Sequence, residues 1–279
     1  MFTLSKSFAL LAALLIHVQL HFYLAGAAPT QARQPPRPSS PSGAGSQFAG
    51  APGGASATKT TTGSSPPTDV TTGTACDVST ASIDTSGTTL PAPSFAPSFI
   101  GLGVGTQNYT CGSAGTYTST GALADLFDVS CLVGQSSFDS LQSTAFAAWN
   151  SSTSTSVSST SDVLSSAGVL SSPIILGQHY FITNPVTGSG LSPKWDFTSN
   201  ALAGNADAFV VATKVDDVAA PTGSADVDWL YLTNLTGTLA NEVYRIDTQG
   251  GQPPASCTVG SADITVKYTS MYWLTGGSF

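Results

Sequence analysis

The sequence predicts an all-β fold, an antiparallel sandwich or barrel-like single domain with at most one or two short helices, carried on a disordered N-terminal stalk. Short runs rich in β-branched and aromatic residues recur along the second half of the chain, with Gly and Pro between them, which is the pattern of strands and turns. Strand-like and helix-like segments do not alternate, so a parallel βαβ arrangement is disfavoured. Residues 76–279 hold all four Trp and all four Cys, and a segment of that length can form one domain with its own core.

The individual elements follow from side-chain periodicity. Residues 138–149 carry apolar side chains at the spacing of one short amphipathic helix. Residues 121–128 fit either a helical turn or a strand, and the Ser/Thr-rich residues 150–172 predict a mobile loop insertion. The predicted strands span residues 106–111, 174–182, 208–213, 227–232, 242–247, 264–268 and 271–274.

The N-terminal residues predict export. Lys6 precedes an apolar stretch over residues 8–24, and small residues permit cleavage after Ala27, so residues 1–27 are interpreted as a signal peptide. Residues 28–75 are mostly Pro, Ser, Thr, Gly and Ala, a composition that predicts a disordered, O-glycosylated stalk because it offers little apolar surface to bury. We therefore expect a secreted, extracellular or cell-wall-associated protein with no membrane contact after cleavage.

The charge balance restricts the partners. Residues 76–279 contain four basic side chains against fourteen Asp and one Glu, a net charge of −11. Nucleic acids and anionic membranes are bound through basic surfaces, so we expect neither as a partner.

The cysteines predict two disulfides. Cys76, Cys111, Cys131 and Cys257 form an even set in an exported chain. Three pairings are open, and Cys257 is expected to join the C-terminal region to an earlier part of the chain. No pair has the C-x2-C spacing of a zinc site, so we expect no structural metal here.

Three sequons predict N-glycosylation, at Asn108, Asn150 and Asn234. Asn150 opens the Ser/Thr-rich segment and is the most favourable of the three. Asn108 falls in a predicted strand and needs an outward-facing side chain.

Several ordered phrases along the chain resemble a known family. The phrases are GTQNYTC at 105–111, GALADLFDVSC at 121–131, LGQHYF at 176–181, VDWL at 227–230 and EVYRIDTQGGQPPASC at 242–257. Together, over about residues 76–275, they are similar to the fungal branch of the DUF3455 family, and the resemblance implies an exported protein of undefined function. Members of that branch often carry the name malate dehydrogenase.

A nicotinamide cofactor does not fit these residues. Gly101, Gly103 and Gly105 superficially resemble a nucleotide-binding turn, but such a turn needs a strand before it and a helix after it. Here a predicted strand follows the glycines, so turns are the expected role of these glycines. We expect no cofactor.

The candidate ligand-binding residues are His179, Trp195, Asp196, Asp228 and Arg245. Carbohydrate sites combine aromatic faces with polar side chains, and Trp195 beside Asp196 and Trp229 beside Asp228 offer both, although core packing also explains a Trp. Arg245 shares a strand face with Val243, so if that face is buried the guanidinium needs a carboxylate such as Asp247 or Asp228.

Two enzymatic alternatives stay open. His179 is the one His left after cleavage and is a candidate base oriented by Asp196, although no G-x-S-x-G elbow supplies a nucleophile. Glycoside hydrolysis needs two nearby carboxylates, but alternation separates Glu242 from Arg245 and Asp247. One His cannot build a His-based metal cluster. The carboxylate pairs Asp216-Asp217 and Asp226-x-Asp228 leave an all-oxygen calcium site open, but neither has an EF-hand pattern, so we expect no metal.

The sequence thus favours a secreted or wall-associated glycoprotein that binds a glycan or small ligand, with carbohydrate or cell-wall glycan as the expected partner. The alternatives are a secreted hydrolase that uses Asp/Glu chemistry or His179, and a purely structural surface protein.

Overall fold

The computed structural model describes residues 76–278, so the predicted signal peptide 1–27 and stalk 28–75 lie outside the described residues. Eight antiparallel strands pair in chain order, and the first pairs with the last to close a barrel. The predicted antiparallel all-β fold is confirmed in its barrel form. The strands are β1 (Pro97–Cys111), β2 (Tyr117–Asp128), β3 (Ile175–Thr183), β4 (Leu191–Asp196), β5 (Phe209–Val218), β6 (Trp229–Thr236), β7 (Glu242–Gly250) and β8 (Ile264–Thr275).

Two short helices pack outside the barrel, α1 (Leu141–Ser151) and α2 (Thr160–Ser166). The predicted helix over 138–149 is confirmed, with a 3-10 turn at Phe138–Ser140 ahead of α1. Trp149 fixes α1 by donating its indole N–H to the carbonyl of Gly105 at 2.7 Å. None of the helices formed by residues 76–278 is long and apolar enough to cross a membrane.

Residues 150–172, predicted to be a mobile loop, are not a loop throughout. This segment forms a 3-10 turn at Val157–Ser159 and then α2. Val157 and Leu164 are buried among the polar residues. The buried Thr160 hydroxyl donates to the Asp125 carboxylate at 2.8 Å. This hydrogen bond allows a polar residue to be buried, which a search for apolar residues does not detect.

The barrel buries two separate cores because β1, β7 and β8 are covered on both faces. Alternate residues such as Phe99, Leu126 and Trp195 fill the interior, whereas Ile100, Phe127 and Trp273 pack outward beneath α1, α2 and the segment before β1. This explains why these strands are apolar on both faces.

Strand β8 is continuous, although the sequence predicted two pieces. The interrupting residues Thr269 and Ser270 are fully buried. Thr269 donates to the carbonyl of Gln142 at 2.7 Å, and Ser270 donates to the carbonyl of Ile246 at 2.9 Å. Residues 121–128, left open between helical turn and strand, lie in β2. Strand β4, which contains Pro193, was not predicted.

The sequence analysis expected the glycines at 101, 103 and 105 to form turns. All three instead lie in β1 and face the interior. A side-chain Cβ at Gly103 would lie 2.5 Å from the Tyr272 ring, and one at Gly105 would lie 2.6 Å from Cα of Ala124. These positions need glycine because the neighbouring ring and strand occupy the space of a side chain.

The two predicted disulfides are present, as Cys76–Cys131 and Cys111–Cys257. The first ties the segment before β1 to the turn after β2. The second spans 146 residues and ties the β7–β8 connection to the end of β1, as expected for Cys257. It therefore holds one end of the barrel in place.

Candidate functional site

The two ends of the barrel differ. At one end the interior is filled by Phe99, Phe197 and Leu239, all fully buried. At the other end, where the β1–β2, β3–β4, β5–β6 and β7–β8 connections lie, a cavity of about 470 Å³ opens to solvent. Its lining includes Gln107, Phe181, Ser192, Leu230, Leu232 and Arg245.

Arg245 enters this cavity because strand alternation points it inward together with Val243. Its Nε and Nη2 donate to the main-chain carbonyl of Asp228 at 3.1 and 2.8 Å. The partner is therefore a carbonyl, not the carboxylate of Asp228 or Asp247 that the sequence analysis expected. Asp228 itself also lines the cavity.

Asp247 does not share the interior face with Arg245. The β7–β8 pairing shifts between Ile246 and Gln249, and Asp247 has a φ of 50°, so the bulge ends the regular alternation. Asp247 lies outside the barrel, where Asp84 and Asp139 influence its pKa.

His179 and Trp195 belong to the aromatic core behind the cavity. His179 is 2% exposed and stacks on Trp195 with ring centroids 4.5 Å apart. Its Nδ1 lies 3.0 Å from the Lys194 carbonyl, and a carbonyl accepts only, so Nδ1 carries the proton. Burial lowers the pKa of His179 to about 3, which keeps the ring neutral in ordinary buffers.

Asp196 faces the opposite way. It follows Trp195 on β4 and points outside, where it pairs with Lys194 at 2.7 Å and accepts from the Tyr180 hydroxyl at 2.7 Å. Burial alone raises its pKa, but hydrogen bonds with Lys194 and its neighbours hold the pKa of Asp196 well below its usual range. His179 and Asp196 therefore do not meet.

The comparison with known proteins gives one match. A family model described as a protein of unknown function, DUF3455, matches residues 91–276. The chain belongs to the DUF3455 family. No curated protein and no solved structure matches the chain. The match covers all eight strands of the DUF3455 barrel.

The sequence analysis missed several cavity residues of the DUF3455 barrel. Gln107 is 5% exposed, and its Nε2 makes no hydrogen bond of good geometry to any described residue, although it lies close enough to the Tyr268 hydroxyl to influence that group's pKa. The hydroxyls of Tyr268 and Tyr272 are 3.0 Å apart. Alternation from Gly101 and Gly103 along β1 was the available signal for Gln107, since it places all three on one face.

Glu242 is a structural carboxylate of the DUF3455 barrel. It is 3% exposed and accepts from the Tyr231 hydroxyl, the Ser94 amide and the Thr275 hydroxyl at 3.0–3.1 Å. Those three donors occupy both of its oxygens. Within residues 76–278, no group of three or more His, Cys, Asp or Glu side chains could hold a metal ion.

The three sequons sit in different surroundings. Asn150 is exposed on α1, and Asn108 is half-buried on the outward face of β1. Asn234 is half-buried on the inward face of β6, where its Nδ2 donates to the carbonyls of Gly237 and Ala240 at 2.9 and 2.6 Å. A glycan replaces one of the two hydrogens on Nδ2, so a glycan on Asn234 would break at least one of these bonds.

When the chain is expressed through a secretory pathway, we accordingly expect the folded protein to carry a glycan at Asn150 and none at Asn234. The measurement is peptide mass mapping after enzymatic deglycosylation in heavy-oxygen water, which marks each formerly occupied Asn. Asn150→Gln should remove its glycan without loss of secreted yield. Occupancy of Asn234 in protein with a cooperative unfolding transition would contradict the inward placement.

Proposed function

We propose that this chain is an exported binding protein that holds a small ligand in the cavity at the open end of its barrel. The observation that carries the proposal is the cavity of about 470 Å³, which lies within the usual range for small-molecule sites. Its lining combines apolar side chains such as Phe181 and Leu232 with a few polar groups, among them Arg245 and Gln107. Such a lining suits an amphipathic ligand.

The tryptophans favour a small ligand over a long polysaccharide. Trp149, Trp195, Trp229 and Trp273 are all at least 93% buried. A flat platform for an extended glycan chain needs exposed aromatic faces. A sugar of one or two rings in the cavity remains compatible with the proposed function.

The contacts around the candidate catalytic residues favour binding over hydrolysis, which is the second candidate function. His179 is buried, neutral and bonded to a main-chain carbonyl. Asp196 is on the outside of the barrel, and the oxygens of Glu242 are occupied by three donors. A general base must reach the proton it removes, and none of these groups lines the cavity.

Export is supported by the N-terminal sequence and the covalent structure. Residues 1–27 have the pattern of a signal peptide, and all four Cys form disulfides, which persist in oxidising compartments.

The test is to block the entrance. Ser119 lies on the inward face at the cavity rim. Thr118, the residue before it on β2, is exposed on the outward face. In the wild-type protein, a library of small soluble compounds should shift the amide NMR signals of Phe181, Leu230 and Leu232. We expect Ser119→Trp to abolish these shifts and Thr118→Trp to retain them.

The unfolding midpoints of both variants serve as the folding control. Shifts that cluster outside the cavity, or that persist unchanged in Ser119→Trp, would contradict the proposed function.

A further inference from the structure

We propose that the ligand of this cavity is a small organic acid, whose carboxylate pairs with Arg245 and whose apolar body packs against Phe181 and Leu232. This inference rests on the proposed function and names the chemical class of the ligand. It follows from three features: the partners of each cation, the unused N–H donors of Arg245 and Gln107, and the mixed apolar and polar lining of the cavity.

The cations of residues 76–278 differ in how their charges are balanced. Lys194 pairs with Asp196 at 2.7 Å, and Lys214 pairs with Asp217 at 2.8 Å. Lys267 donates to the carbonyls of Trp149 and Ser152 at 2.7 Å, where the C-terminal end of α1 favours a positive charge.

Arg245 is the cation that faces the cavity without a carboxylate partner among the described residues. A partly buried guanidinium gains little compensation from one carbonyl, so an uncompensated charge here is costly unless an anion binds. The contrast is marked because residues 76–279 have a net charge of −11. The acidic chain therefore presents a positive charge to its own cavity.

The hydrogen-bonding capacity of Arg245 is not filled. An arginine has five N–H donors, and the Asp228 carbonyl takes two, from Nε and Nη2. The Tyr272 hydroxyl accepts a further hydrogen bond from the guanidinium. N–H groups are left that can donate to a planar carboxylate, which is the acceptor that the guanidinium fork fits best.

Gln107 supplies a second, independent donor. It lines the same cavity, is 5% exposed, and its Nε2 has no well-formed hydrogen bond to a described residue. An amide nitrogen has two N–H donors, of which the Tyr268 hydroxyl can accept at most one, so the amide of Gln107 also suits an oxygen of a ligand. Strand β8 separates Gln107 on β1 from Arg245 on β7, and its Tyr268 and Tyr272 hydroxyls lie between them.

The rest of the lining selects an acid with a single charge and an apolar part. Asp228 and Lys214 also line the cavity, but Lys214 is paired with Asp217. A dianion such as phosphate therefore meets one cation without a carboxylate partner, Arg245, and is repelled by the carboxylate of Asp228. Phe181, Leu230 and Leu232 offer apolar surface that an inorganic ion cannot use. A short aliphatic or aromatic monocarboxylic acid satisfies all of these groups.

The experiment is calorimetric titration of the secreted protein with matched acids and amides. Hexanoate and cinnamate are compared with hexanamide and cinnamamide, which keep the body and remove the charge, and inorganic phosphate is titrated as the anion without a body. We expect at least one acid to bind, its amide to bind about 10- to 100-fold more weakly, and phosphate to bind more weakly still.

Variants locate the effect. Arg245→Gln should weaken acid binding by about 10- to 100-fold while leaving amide binding unchanged, and Gln107→Leu should weaken acid binding less. Lys194→Gln removes one positive charge from the outer surface, where Lys194 does not line this cavity, and should leave acid binding unchanged. If Arg245→Gln does not fold, the ratio of acid affinity to amide affinity in the wild-type protein tests the inference by itself.

Three outcomes with the acids and amides overturn the inference. They are equal binding of an acid and its amide, unchanged acid affinity in folded Arg245→Gln, and no binding of either acid. None of them overturns the proposed function, which fails separately when Ser119→Trp leaves ligand-induced NMR shifts in place. If phosphate binds as tightly as the acids, the cavity binds oxyanions in general and does not select an organic acid. That result would also overturn the inference.

Discussion

Replacing Gly105 with alanine is expected to destabilise the barrel by more than about 4 kcal/mol, whereas alanine at Gly101 should change the free energy of unfolding by less than about 1 kcal/mol. Both glycines lie in β1 and face the interior. At Gly105 the new Cβ would clash with the Leu123 carbonyl and lie 2.6 Å from Cα of Ala124. These are main-chain atoms of β2, so relief requires the two strands to separate.

Gly101 provides the matched control, because the nearest atoms to its new Cβ are 3.6 Å away, in Leu126 and Leu176. That distance is an ordinary contact in a packed core. Gly103→Ala should fall between the two, at about 1–3 kcal/mol, since the nearest atom, at 2.5 Å, belongs to the Tyr272 ring rather than to the backbone.

The measurement is guanidinium unfolding of the three variants, followed by tryptophan fluorescence, together with secreted yield. The separation of β1 from β2 should also disturb α1, because the Trp149 indole donates to the Gly105 carbonyl. Equal stability of Gly101→Ala and Gly105→Ala would show that β1 and β2 do not approach as closely as the structure has them.

Local patterns in the sequence were enough to predict much of the fold. Most strands and α1 were visible because their periodicity depends only on neighbouring residues. The interior glycines were misread because their need for glycine comes from Tyr272 and β2, which approach only when the barrel closes. Helix α2 was missed because Thr160 owes its burial to a hydrogen bond with the distant Asp125.

The candidate site was predictable only in part. Arg245 and Asp228 drew attention as rare or clustered charged residues, and both line the cavity. His179 was a candidate as the one His left after cleavage, and Trp195 as an aromatic residue beside Asp196, but the two pack against each other in the core. Gln107 and Phe181 come from strands far apart in the chain, so the residue types alone could not place them together.

Asp247 lies at a bulge that interrupts the side-chain alternation of β7, and it makes the free energy of unfolding depend on pH. Burial raises its pKa, and the nearby Asp84 and Asp139 raise it further, to about 6. A group whose pKa is raised in the folded state favours folding at low pH, and that contribution is lost as the pH rises through the folded-state pKa. Asp247 should therefore weaken the fold progressively between about pH 4 and pH 7.

We expect Asp247→Asn to raise the free energy of unfolding by about 1–2 kcal/mol at pH 7.5, a value reduced for partial exposure. At pH 4 most of this gain should be lost, because folded Asp247 is then almost fully protonated and unfolded Asp247 is about half protonated. Asparagine also suits this position, since Asp247 has a φ of 50° and Asn adopts the left-handed region more readily than most residues.

The check is guanidinium unfolding of both proteins at pH 4, 6 and 7.5. Asp84→Asn is the matched control, since it removes the charge that raises the pKa of Asp247 most among its neighbours and leaves Asp247 itself in place. It should give a smaller gain in the free energy of unfolding over the same pH range.

Asp247→Ala separates the effect of the charge from that of the backbone, because alanine also removes the charge but fits a positive φ poorly. Its gain in the free energy of unfolding at pH 7.5 should therefore be smaller than that of Asp247→Asn. A gain for Asp247→Asn that is the same at all three pH values would assign the effect to the backbone and exclude the raised pKa as its cause.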